Sequence, residues 1–160
     1  MVLYSDTLYT DAVSDMPQSK EFNKIILAVD GSDASKKAAQ KAFVLSKETG
    51  IPILVIHVVH IPASSITPAL TTPMADVMEA MKKHGESILD EIVKMGSDMD
   101  VHVEKRLVDG IPDDQIIKIA DKNDLIILGS KGHSTLDRIL IGSVSEKVLH
   151  HSNATVMIVR

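Results

Sequence analysis

Five short apolar runs punctuate the chain, and segments with helical spacing separate them. The runs fall at residues 24–30 (KIILAVD), 52–59, 100–108, 125–128 (LIIL) and 154–159. The second and fourth are continuous rather than alternating, which fits parallel strands covered on both faces. The third alternates imperfectly through Val101, Val103, Arg106 and Val108. Between the runs, Ala38, Ala39, Ala42, Phe43 and Leu45 repeat at helical spacing within 35–48. Val77, Met81, Ile88 and Ile92 do the same within 74–95. Residues 113–122 and 144–151 complete the set of four predicted helices.

The punctuation agrees with these boundaries. Gly31-Ser32-Asp33 supplies a turn and a helix cap, with Ser32 or Asp33 as the N-cap. Thr49-Gly50 stops the first helix. Gly110-Ile111-Pro112 turns the chain into the third, where Pro112 suits the first turn and Asp113 and Asp114 suit the helix dipole. The resulting order, β-α-β-α-β-α-β-α-β, predicts a doubly wound parallel sheet with helices on both faces. In such sheets ligands bind beyond the carboxyl ends of the strands, where the strand order reverses. Strands one and four end at Asp30 and Gly129, so these two residues are expected to meet at that crevice.

Two segments stand outside the alternation. Residues 1–22 mix Asp6, Asp11 and Asp15 with Tyr4, Leu8, Tyr9, Val13 and Met16 without a period, and read as a tail that either hangs free or docks on a partner. Residues 23–160 form the predicted domain. The loop over 61–75, with Pro62, Pro68 and Pro73, is long for a compact domain, as functional loops often are. Met74, Met78 and Met81 fit core filling better than a binding surface.

Composition narrows the chemistry. A formal charge of −5 argues against a general nucleic-acid binder. The aromatic residues are Tyr4, Tyr9, Phe22 and Phe43, which leaves no stacking platform for single strands. With no Cys, thiolate sites and cysteine nucleophiles are excluded. No apolar run approaches the roughly 20 residues of a membrane span, and the N-terminus lacks the pattern of a secretory signal. The expected location is cytoplasmic, without membrane contact.

The most specific chemical signal follows the fourth run. Gly129-Ser130-Lys131-Gly132, then nine residues, then Gly142-Ser143, lies between a strand and a helix start. Glycines let backbone N–H groups approach an anion, and a helix start adds unpaired donors and the positive end of its dipole. A plain turn is the simpler alternative for any one of these glycines. The lysine of a Walker A motif is missing, so this is not a P-loop.

Taken together, these residues resemble the universal stress protein family, in its nucleotide-binding subgroup. The family signature G-x2-G-x9-G-(S/T) is met by Gly129, Gly132, Gly142 and Ser143. An Asp closes its first strand, as Asp30 does here. A His-Val pair marks its second strand, here His57-Val58. Its V-x-G-x-P segment is met by Val108, Gly110 and Pro112. The similarity covers about 24–160 and leaves out the tail. It implies a five-stranded sheet of order 3-2-1-4-5 and an adenine nucleotide, ATP or AMP, with magnesium or manganese as companion. It implies that Asp30 accepts from the adenine or ribose region, with Ala28 and Val29 lining the base and Val58 packing on it. Gly129 would lie by the ribose, and Gly132, Gly142, Ser143 and Val144 would hold phosphates. Ser130, Ser145 and Gly110 complete the implied binding set. The family also implies a stress-response role and a homodimer through 154–159, an edge strand with Val156, Ile158 and Val159.

Other readings of single residues stay open beside this one. Asp30 could be a turn or cap residue. His57 fits a satisfied core histidine, and Lys131 and His133 could touch phosphate or water alike. His150-His151 suits a helix C-terminus. The histidines lack the spacing of a zinc site. Nothing in the sequence positions a water for attack, so binding with at most weak ATP hydrolysis is expected. A homodimeric interaction module that ignores nucleotide is the alternative. A phosphoacceptor receiver shares the five-strand alternation, but its Lys after strand five is missing and the glycine motif would go unexplained.

Overall fold

The computed structural model describes residues 21–61, 74–131 and 141–160. Residues 1–20 of the predicted 1–22 tail, most of the proline loop, and Gly132 with His133 lie outside the described residues. Five strands and four helices alternate: β1 (Ile25–Ala28), α1 (Asp33–Thr49), β2 (Ile53–Val59), α2 (Met74–Ser97), β3 (Val103–Asp109), α3 (Pro112–Ile119), β4 (Leu125–Gly129), α4 (Ser143–His151) and β5 (Thr155–Val159). The sheet runs β3-β2-β1-β4-β5, the order expected. Every pairing is parallel, with Ala28 opposite Ile56 on one side and Leu128 on the other.

Alternation along the strands sorts the core into two layers, because successive side chains face opposite ways. Ile25, Leu27, Val55 and Ile127 pack with Ala38, Ala42 and Phe43 of α1 and with Leu89 and Ile92 of α2. Ile26, Leu54, Ile56, Ile126 and Leu128 pack on the other face with Ile116 of α3 and Val148 of α4. Burial on both faces explains why β1, β2 and β4 are continuously apolar. On the outer strand β3, exposed Lys105 bonds Asp90 and Glu86 of α2, and these bonds raise its pKa above the ordinary lysine value.

Three boundaries differ from the sequence pattern. Strand β3 starts at Val103 rather than at 100, because Asp100 takes a left-handed conformation (φ 59°) in the turn that ends α2. Helix α3 stops at Ile119 rather than 122. There the carboxylate of Asp124 takes the backbone N–H of Asp121 at 2.8 Å and folds the chain into a turn. Strand β1 stops at Ala28, two residues before the apolar run ends, and those two residues, Val29 and Asp30, belong to the site.

Candidate functional site

The strand order reverses between β1 and β4, whose connections leave in opposite directions across the sheet. A cleft of about 280 Å³ opens beyond the carboxyl ends of these two strands. Its β1 wall is Ala28, Val29 and Asp30, and Ile56, His57 and Val58 come from β2. Leu128, Gly129 and Lys131 close the β4 side. Gly142, Ser143, Val144 and Ser145 present the start of α4, and Pro112 and Ile116 of α3 complete the lining.

The start of α4 is the polar end of this cleft. Gly142 is its N-cap residue and supplies no side-chain cap. The first turn of a helix has N–H groups without intrahelical partners, here those of Ser143, Val144 and Ser145, and they carry the positive end of the dipole. The Gly142 N–H is itself engaged, donating to the Ser130 carbonyl at 2.6 Å. Ser130 stands behind the lining: it is buried, and its own N–H donates to the Val159 carbonyl at 2.7 Å. Ser145 is also buried, and its hydroxyl donates to the Gly129 carbonyl at 2.8 Å. Both serines therefore hold α4 against the end of β4.

Gly129 has a packing reason as well as a place in the cleft. A Cβ there would lie 2.7 Å from the carbonyl carbon of Ala34 and 2.8 Å from the Ser35 nitrogen. Only a residue without a side chain lets α1 begin so close to β4. Asp30 is both the turn residue and a lining residue. Its Oδ1 accepts from the Ser32 N–H at 3.0 Å and from the Ser32 hydroxyl. The same hydroxyl caps α1 by accepting from the Ser35 N–H at 3.2 Å, so Ser32 rather than Asp33 is the N-cap.

Of the other residues implied by the resemblance, Gly110 lies away from the lining. Its N–H donates to the Val59 carbonyl and its carbonyl accepts from His60 Nδ1 at 3.1 Å. His57, expected to be a core histidine, is instead half-buried and lines the cleft, with Nδ1 bonded to the Val29 carbonyl at 2.8 Å. The sequence reading missed Ile56, Leu128, Pro112 and Ile116. Ile56 was legible in principle, since it shares a strand face with Val58, and Pro112 and Ile116 share a face of α3 at i, i+4 spacing.

A broader, shallower groove of about 820 Å³ runs along α2 between Ala75 and Leu107. Its charges answer one another: Lys82 pairs with Asp109, Lys83 with Glu79, and Lys105 with Glu86 and Asp90. With its cations already paired, it lacks the convergent donors that mark a small-molecule site.

The family model described as the universal stress protein family matches residues 21–160. This chain belongs to the universal stress protein family. Among curated members, universal stress protein YxiE of Bacillus subtilis is 34% identical over 147 residues, covering 87% of this chain and 99% of its own. Universal stress protein MJ0531 of Methanocaldococcus jannaschii is 31% identical over 145 residues, covering 87% of this chain and 82% of its own. A solved universal stress protein in complex with cAMP is 25% identical, with a TM-score of 0.66, over 88% of this chain and 99% of that one. Among the described residues of this universal stress protein, no helix is long and apolar enough to cross a membrane.

Proposed function

We propose that this universal stress protein is a regulatory module that binds an adenine nucleotide in the β1/β4 cleft. The observation that carries the proposal is the start of α4, without a side-chain cap at Gly142, in the same apolar-floored cleft as Asp30. The first supplies fixed donors for phosphates without an arginine cluster. The second is an acceptor for ribose hydroxyls or the adenine amino group. Ala28, Val29, Val58 and Ile56 form an apolar surface on which a purine can lie. The family member solved with cAMP supports the ligand class.

In this reading ATP or AMP sits with its base on Val58 and its ribose between Asp30 and Gly129. The phosphates lie along the N–H groups of Ser143, Val144 and Ser145, and Lys131, also in the lining, adds a cation. Magnesium or manganese would ride on the phosphates, since no group of three or more His, Cys, Asp or Glu that could hold a metal occurs among the described residues. Occupancy rather than turnover is the signal, in a cytoplasmic stress response.

A homodimer through β5 is compatible with this role. β5 pairs with β4 on one side, and Met157 on it and Leu149 on α4 are exposed apolar residues. Such an edge invites a second copy. Titration calorimetry with ATP, AMP and cAMP, with and without magnesium or manganese, tests the ligand, and phosphate release assayed alongside tests turnover. Saturable binding of any of the three is expected. No binding of any would leave the dimeric interaction module as the better reading.

A further inference from the structure

The β1–β2 ladder ends at Ala28 opposite Ile56. Val29 keeps one more bond, its N–H donating to the Ile56 carbonyl at 3.0 Å. Its carbonyl is taken not by the strand but by the ring of His57, at 2.8 Å from Nδ1. A carbonyl oxygen only accepts, so Nδ1 carries the proton and the tautomer is fixed. The ring is held from behind as well. A Cβ added to Gly85 of α2 would lie 2.7 Å from His57 Cδ2 and 3.3 Å from Nε2. Helix α2 thus backs directly onto the imidazole, and the lack of a side chain at Gly85 makes room for it.

We propose that His57 is a positioning residue for the base and ribose half of the cleft, and that it acts through the Val29–Asp30 peptide. The peptide is planar, so the Val29 carbonyl and the Asp30 N–H move as one frame. Holding the carbonyl sets the point from which Asp30 departs into its turn with Ser32. Val29, Asp30 and His57 all line the cleft. With its carbonyl unheld, the peptide could tilt and carry Asp30, with its carboxylate still bonded to Ser32, away from its place in the lining, and preorganisation of the site would be lost. The proposal rests on the nucleotide reading of the cleft, and its tests separate the two.

The full chain is compared with His57→Leu, which removes the donor, and His57→Asn, whose amide nitrogen falls near the place of Nδ1. In the nucleotide-free protein, the Asp30 amide resonance is expected to move in His57→Leu and return toward its original position in His57→Asn. An unmoved Asp30 resonance in His57→Leu overturns the proposal, whatever the wild type binds. In calorimetry, loss of one preorganising bond is expected to weaken ATP and AMP by the same factor, about tenfold, with His57→Asn recovering most of it. Wild-type affinity in His57→Leu overturns the proposal, and so does a loss that differs between ATP and AMP. A wild type that binds neither nucleotide refutes the ligand reading instead and leaves the resonance test to decide the positioning role. Should His57→Leu not fold, Gly85→Ala presses on the ring from α2 and is expected to shift the same Asp30 resonance. No shift there overturns the proposal.

Discussion

The hydroxyl of Ser145 donates to the carbonyl oxygen of Gly129 at 2.8 Å, and so fastens the first turn of α4 to the last residue of β4. Together with the Gly142 N–H bond to the Ser130 carbonyl, it ties the two ends of the glycine motif to each other. Removing it in Ser145→Ala leaves a part-buried carbonyl without its donor. We expect a loss of about 1–2 kcal/mol in urea unfolding. A stability equal to wild type would show that the fastening is made elsewhere.

Gly129 separates packing from binding. Gly129→Ala puts a methyl group 2.7 Å from the Ala34 carbonyl carbon. Helix α1 must move, and overpacking of this kind costs about 1–3 kcal/mol. The thermal midpoint should fall even in the absence of nucleotide. An unchanged Tm would mean that the glycine serves the ligand alone.

Asp30→Asn keeps an oxygen to accept from Ser32 while removing the charge. Stability should stay within about 0.5 kcal/mol, as for a change that preserves local bonds. Affinity for AMP and ATP should fall about tenfold, because hydrogen bonds to a charged acceptor are worth more than neutral ones. Calorimetry and chemical unfolding on the same variant check both halves. An unchanged affinity would reduce Asp30 to a turn residue.

The opposite end of the sheet holds the most deeply buried carboxylate among the described residues. Asp124 is 1% exposed, pairs with Lys24 at 3.1 Å, and its Oδ1 has no partner among the described residues. Lys24→Met would leave that carboxylate without its counter-charge, with the Asp121 N–H as its remaining donor, at a cost of about 3 kcal/mol. Because the pair lies at the amino ends of β1 and β4, nucleotide affinity of the folded fraction should not change. A variant as stable as wild type would contradict the importance given to the pair.

The fold was legible because its signals are local. Runs such as Ile25 to Leu27 and Leu125 to Leu128 are apolar on both faces, and Ser32, Gly50 and Pro112 mark helix ends within a few residues. The meeting of Asp30 with Gly129 was legible too, since topology alone brings the ends of β1 and β4 together. What stayed hidden depends on contacts between distant residues. Asp124 shortens α3 through a side-chain bond that no helical period reveals. The need for a glycine at 129 comes from Ala34, and at 85 from His57 and Leu107. Nor did the spacing show that the Ser130 and Ser145 groups are engaged within the protein.

The most direct test is an amide-resonance titration of the wild-type chain with ATP and magnesium. Saturable shifts are expected at residues 28–30, 57–58, 129 and 143–145, with residues lining the α2 groove unaffected. No saturable shift, or shifts gathered along α2 between Ala75 and Asp90, would contradict a nucleotide site at the β1/β4 crevice.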